Sequence, residues 1–155
     1  MLDRMYSTRP ATIDDAEVIA RYNGAMALET EDKALDAETL LAGVRRVFDE
    51  PGHGRYIVAE AEAGGVVGCL LITYEWSDWR NGQVWWVQSV YVHPDHRRRG
   101  VFKRLYAAVR ELGAAAGGVC GYRLYVERDN ARAQETYRQL GMSPTPYLMF
   151  EDMGG

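Results

Sequence analysis

The run Val90-Tyr91-Val92-His93-Pro94-Asp95-His96-Arg97-Arg98-Arg99-Gly100-Val101-Phe102-Lys103-Arg104-Leu105-Tyr106 constrains this chain more than any other stretch. It opens as β-branched and aromatic strand sequence, breaks at Pro94, crosses three arginines and reaches Gly100. From there Val101, Leu105, Val109 and Leu112 recur at three- and four-residue spacing, the mark of one buried helix face. The first turn of a helix leaves N–H groups without carbonyl partners, and the helix dipole makes that end partly positive. Gly100 has no side chain, so a ligand can approach the backbone there. A strand, a basic turn and a helix N-terminus in that order describe an anion site, for a phosphate or pyrophosphate. An arginine run alone is most often a solvated turn, so the order of elements carries the reading. The chain has no Gly-x-x-x-x-Gly-Lys-Ser/Thr loop and no Gly-x-Gly-x-x-Gly after its first strand, which disfavours a nucleotide triphosphatase and a dinucleotide fold.

The basic cluster sits on an acidic body. A net charge of −4 gives no bulk attraction to nucleic acid or to an anionic membrane, and no apolar stretch approaches the length of a membrane span. The 155 residues fit one domain, 1–155, with no internal repeat or linker. No apolar secretion signal opens the chain, so a cytoplasmic protein is expected. Cys69 and Cys120 lie among apolar neighbours and read as buried free thiols; two cysteines cannot build a four-cysteine zinc site, and no metal is expected.

In chain order, Met5–Ala11 reads as a first strand. Thr12 caps a helix that runs to about residue 28, with Asn23-Gly24 weakening or bending it. The polar break Glu29-Thr30-Glu31-Asp32-Lys33 follows. Asp36 caps a second helix, which Pro51-Gly52-His53-Gly54 ends. Tyr56–Ala61 and Val66–Glu75 form a hairpin about Gly64-Gly65, and Asn81-Gly82 turns the chain into a fourth strand, Gln83–Val92. The helix after Gly100 stops at Gly117-Gly118, Tyr122–Glu127 reads as a buried strand, and a further helix carries Tyr137 and ends at Gly141. Tyr147-Leu148-Met149-Phe150 reads as a last strand. Trp76, Trp79 and Trp85 either cover the sheet or line a pocket mouth. The expected fold class is α/β (α+β), a single domain with a central mixed, mostly antiparallel sheet flanked by helices.

Arg97-Arg98-Arg99-Gly100-Val101-Phe102 resembles the acyl-CoA pyrophosphate loop of the GNAT N-acetyltransferase superfamily, Gln/Arg-x-x-Gly-x-Gly/Ala. Asn130, Ala133, Tyr137 and Gly141 resemble that superfamily's second signature, in the same order. The similarity runs from the Arg-Pro-Ala-Thr opening to the last strand. Phe102 departs from the pattern, since a phenyl ring cannot sit against a pyrophosphate; it is expected to point into the core with Tyr106.

The resemblance implies acetyl-CoA as co-substrate and direct transfer to a primary amine in a ternary complex. Backbone N–H groups from Arg98 to Phe102, with the side chains of Arg97, Arg98 or Arg99, would hold the diphosphate. Val90, Tyr91 and Val92 would bond the pantetheine arm as though it were another strand and polarise the thioester carbonyl. Asn130 would bond the pantetheine, and Tyr137 would donate a proton to the departing thiolate. The helix–loop–helix around residue 30 would form one wall of the acceptor site. An ammonium with a pKa near ~10 must lose a proton before attack. Gln88 stands where many relatives place a glutamate, so Glu75, Glu29 or a water relay is left for the base. The surplus of carboxylates near residues 29–32 and 75–78 hints at a small cationic acceptor. A peptide or protein amine is the alternative acceptor, and a CoA-binding sensor without turnover the alternative class. Dimers are common in the superfamily, but no residue pattern here decides for a homodimer.

Overall fold

The structure is a computed structural model that describes residues 5–154. Contacts divide the chain into two units, residues 1–124 and 125–155.

In the first unit five strands pair in sequence order: β1 (Tyr6–Pro10), β2 (Arg55–Ala61), β3 (Val66–Ser77), β4 (Gly82–Val92) and β5 (Val119–Arg123). The first three junctions are antiparallel and the last is parallel, so the sheet is mixed and mostly antiparallel, as expected. Between the strands lie α1 (Ala16–Glu31), α2 (Ala37–Asp49) and α3 (Val101–Ala116). Side chains alternate across the sheet. Tyr56, Val58, Cys69 and Tyr91 form a buried cluster with Ala16, Ile19 and Ala20 of α1 and Val44 of α2. The alternate residues Ile57, Leu70 and Ile72 are buried on the other face, where α3 packs Val101, Leu105 and Val109. Each such apolar side chain contributes about 1.5–3 kcal/mol on burial.

Local chemistry fixes the joints. Asp36 Oδ2 accepts from Thr39 N at 2.9 Å and caps α2. A single 3₁₀ turn, Ile13–Asp15, precedes α1, and Asp15 Oδ2 reaches back to Thr12 N at 2.8 Å. Arg9 then grips Asp15 in a fork, Nη1–Oδ2 2.8 Å and Nη2–Oδ1 2.9 Å, and donates from Nε to Glu60 Oε1 at 2.6 Å. One guanidinium thereby ties β1 to β2 and to the start of α1. Gly24 does not break α1, which runs unbroken through it, and a Cβ there would make an ordinary contact with Leu40 of α2 at 3.6 Å. Gly113 lies against the Tyr122 ring, letting α3 lie close on β5.

Three expectations are corrected. The strand read as Tyr122–Glu127 is β5, Val119–Arg123; it holds its ladder only while β4 runs beside it, and Leu124 and Val126 lie beyond the last pair. Cys120 is exposed, while Cys69 is buried and its thiol is pushed up to about 12 by burial. In the second unit, α4 (Ala131–Gln139) is the only regular element among the described residues. Tyr147–Phe150 is not a strand: it has no ladder, and Tyr147 and Phe150 are 76% and 91% exposed. Its apolar run signals a need for burial, but a strand also needs a partner for its backbone.

Candidate active site

The middle of β4 carries a bulge that nothing in its sequence announces. Tyr91 pairs with Cys69 and Gln88 with Leu71, so Ser89 and Val90 stand opposite Leu70 alone. Ser89 takes up the extra residue at φ 51°, in the left-handed region that non-glycine residues seldom enter. The bulge resets the alternation of side chains. Gln88 and Tyr91, three residues apart, face the same side of the sheet, the α1/α2 side. Gln88 Nε2 donates there to Thr73 Oγ1 at 2.6 Å.

At the same point β4 parts from its parallel neighbour. Register with β5 runs from Gln83 to Trp86 and stops. From Val87 to Val92, β4 pairs with β3 on one side, and no described strand pairs with its other edge. Val90, Tyr91 and Val92 lie on this stretch, so a run of main-chain groups borders the gap.

The chain leaves β4 through His93, makes a 3₁₀ turn at Pro94–His96 and enters the arginines. Arg98 (φ 64°) and Gly100 (φ 79°) are both left-handed. A Cβ at Gly100 would meet nothing within 4 Å, so the glycine serves the backbone angle and leaves the ground before α3 open. Arg104 N is the first donor of α3 to bond back, to Gly100 O at 3.1 Å; the N–H groups before it belong to the turn that lacks intrahelical carbonyls. Arg98, Arg99 and Gly100 are exposed. The N-terminus of a sixteen-residue helix, a left-handed approach and exposed cations are the chemical elements from which an anion site can be built. Phe102 is half-buried rather than in the core, with its ring stacked on Tyr106, centroids 6.1 Å apart.

Arg97 behaves differently. Its Nε donates to Val92 O at 2.8 Å and its Nη2 to Glu29 Oε2 at 2.8 Å, with its carbon 5.3 Å from the Tyr91 ring centre. The other oxygen of Glu29 accepts from Tyr91 Oη at 2.9 Å. Arg97 and then Tyr91 hold the Glu29 carboxyl below the usual carboxylate range. Glu75 is engaged in the same way. Its Oε1 accepts from Trp86 Nε1 at 2.7 Å, and Arg123 Nη1 lies 2.9 Å from Oε2. The indole bond first, and the guanidinium next, hold this carboxyl low as well. Both carboxylates singled out as bases are therefore neutralised by an arginine. Of the tryptophans, Trp85 is buried in the sheet while Trp79 is 89% exposed at the β3–β4 turn.

Asn130 and Tyr137 belong to the second unit. Asn130 Oδ1 accepts from Ala133 N at 3.1 Å and caps α4, leaving its amide nitrogen as the group that can donate elsewhere. Tyr137 is half-buried on α4, and burial pushes its phenol up. Among the described residues no group of three or more histidine, cysteine or acidic side chains could hold a metal ion. Sequence reasoning missed Ser89 and Arg123. The first has no signature outside the β3 register, and the second lies in a strand read three residues too late.

The acetyltransferase (GNAT) family model matches residues 19–142. The chain belongs to the GNAT acetyltransferase family. A solved structure described as a possible acetyltransferase from Clostridium difficile 630 is 39% identical, with 97% of this chain and 98% of that one covered and a TM-score of 0.88. An aminoglycoside N-acetyltransferase solved in complex with CoA shares the fold at 20% identity, TM-score 0.77, with 95% and 93% covered. So does a ribosomal-protein-alanine N-acetyltransferase from Brucella melitensis biovar Abortus 2308, at 16% identity and TM-score 0.77, with 97% and 99% covered.

Proposed function

We propose that this GNAT protein moves an acetyl group from acetyl-CoA to the primary amine of a small molecule, by direct attack within a ternary complex. The observation that carries the reading is the continuity of two features: the open β4 edge, Val87–Val92, runs into a turn whose Arg98 and Gly100 are left-handed and which opens α3. An extended amide-bearing arm suits the first, and a diphosphate suits the second. The residues present therefore fit the co-substrate.

When bound, acetyl-CoA supplies the activated thioester. The chain's own part is to place and polarise. N–H groups from Arg98 to Phe102, with exposed Arg98 and Arg99, hold the diphosphate. Main-chain groups of Val90 and Val92 would bond the arm, and an N–H there would stabilise the negative charge that develops on the carbonyl oxygen, while the main chain of Tyr91 faces β3. Tyr137, a phenol protonated at neutral pH and pushed further up by burial, would hold the proton for the departing thiolate. Asn130 donates to the arm from its amide nitrogen. The amine loses its proton to water, because Glu29 and Glu75 are each held as ion-paired carboxylates of lowered proton affinity. That pairing also removes the local excess of negative charge, so a cationic acceptor is not favoured by these two residues.

The test is incubation with acetyl-CoA and a panel of small amines, amino-terminal peptides and lysine peptides, following free thiol release. Saturable release with a small amine is the expected result. Saturation with peptides alone would move the acceptor to a polypeptide. CoA binding without turnover on any acceptor would overturn the enzyme reading in favour of a sensor.

A further inference from the structure

Arg97 opens the loop signature and would be read first as a phosphate ligand, yet its guanidinium is bonded on a different errand. We propose that Arg97 is a positioning residue: it fixes the Val92 carbonyl and the end of α1 relative to each other, leaving the diphosphate to the groups that follow it. The inference rests on the proposed use of acetyl-CoA and concerns how the cofactor edge is held.

Three observations carry it. First, Nε and Nη2 form one forked edge of the guanidinium, and both donate within the protein, to Val92 O and Glu29 Oε2 at 2.8 Å each. Second, Glu29 is not a passive neighbour. It accepts from Tyr91 as well, and Tyr91 lies under the Arg97 guanidinium, so the three side chains close a ring. The ring joins residues 68 positions apart, at the end of α1 and in the basic turn. Third, an anion seated on Arg97 would lie beside the Glu29 carboxylate, and two like charges at that range oppose each other. Arg98 and Arg99 are exposed beyond this pair.

The consequence is geometric. Val92 ends the open edge of β4, and α1 leads into the connection that walls the acceptor side in the family resemblance. Arg97 holds both through one planar group, which a lysine cannot do with a single point charge.

The experiment compares Arg97→Ala, Glu29→Ala and the double variant by calorimetry with two probes, CoA and pantetheine, which has the arm but no diphosphate. Each single change should weaken both probes by a similar factor of about 3–10, and the double should be no worse than the weaker single, because both break one unit. Loss of CoA affinity by tenfold or more in Arg97→Ala with pantetheine unchanged would make Arg97 a phosphate ligand and overturn the proposal. Affinities for both probes that stay as in the unaltered chain would overturn it too. An unaltered chain that binds neither probe would fail the proposed function instead. In that case non-additivity of the same variants in urea unfolding still reads the Arg97–Glu29 pairing, and additive effects there would sink it. Glu29→Gln serves where an alanine variant fails to fold.

Discussion

Arg123 of β5 and Glu75 of β3 meet across β4, Nη1 to Oε2 at 2.9 Å, with the Trp86 indole donating to the same carboxylate from between them. Trp86 and Arg123 are also the last register pair before β4 and β5 part. The cluster therefore stands at the head of the open edge, where it ties three strands together. Its side chains are 35% and 41% exposed, so the ion pair itself contributes at most about 1 kcal/mol.

That arrangement predicts the outcome of Glu75→Gln. An essential base removed costs on the order of 10²-fold or more in rate. Here Glu75 is held as an ionised partner of Trp86 and Arg123, and its lowered proton affinity keeps it charged throughout the neutral range. Glu75→Gln should keep kcat/KM within about 3-fold of the parent, below the range of a lost general base. The profile of kcat/KM against pH should still rise toward the pKa of the acceptor amine, near ~10, in both proteins. A new plateau or a shifted acid limb in the variant would restore Glu75 as the base.

Ser89 offers a test of the bulge. Any Cβ at its φ of 51° crowds the following carbonyl at a cost of about 1–2 kcal/mol, which serine already bears; a β-branched side chain adds further crowding, whereas glycine takes that angle freely. Ser89→Val should lower the midpoint of thermal unfolding and raise the KM for acetyl-CoA, because the backbone groups beside Val90 move with the bulge. Ser89→Gly should leave the KM unchanged. Equal effects from the two variants would mean that the hydroxyl, not the angle, is what matters.

Much of this site was legible because its parts are local. A proline, an arginine run and a glycine before a helical repeat specify strand, turn and helix N-terminus whatever lies around them. Asp36 capping α2 and the turns at Gly64-Gly65 and Asn81-Gly82 are of the same kind. What escaped depends on distant partners. The Ser89 bulge exists only relative to Leu70 on β3, and the end of β5 only relative to where β4 turns away. The direction of Arg97 is set by Glu29, sixty-eight residues earlier. Tyr147–Phe150 shows the same dependence, since an apolar run without a ladder is not a strand.

If the proposed transfer holds, Tyr137→Phe tests protonation of the leaving group. Thiolate departs readily, so loss of the phenol should slow kcat toward the lower end of a general acid's contribution, about 10²-fold, without abolishing turnover. Affinity for CoA, measured by calorimetry, should hold. Burial raises the Tyr137 pKa, so the parent's rate should show no alkaline fall below the ordinary tyrosine range, near ~10. A phenylalanine variant at full speed would remove Tyr137 from the mechanism.

The Arg9–Asp15 fork predicts how stability changes with acid. Asp15 is buried, and its pKa is lowered chiefly by the Arg9 hydrogen bonds, against the opposing effect of burial. A folded-state pKa below the unfolded value of about 3.9 contributes stability that is complete above that value and is lost as pH falls through the folded pKa. Arg9→Met removes the partner and leaves the carboxylate buried, with burial now pushing its pKa up. The variant should be less stable at pH 7 by about 1.5–3 kcal/mol, the range for hydrogen bonds to charged groups. On acidification from pH 7 to below 4 the gap should close, because protonation relieves the variant while it costs the parent its fork. Urea unfolding of both proteins across that range checks the sign, and a gap that widens in acid would show that the fork is not what holds Asp15 charged.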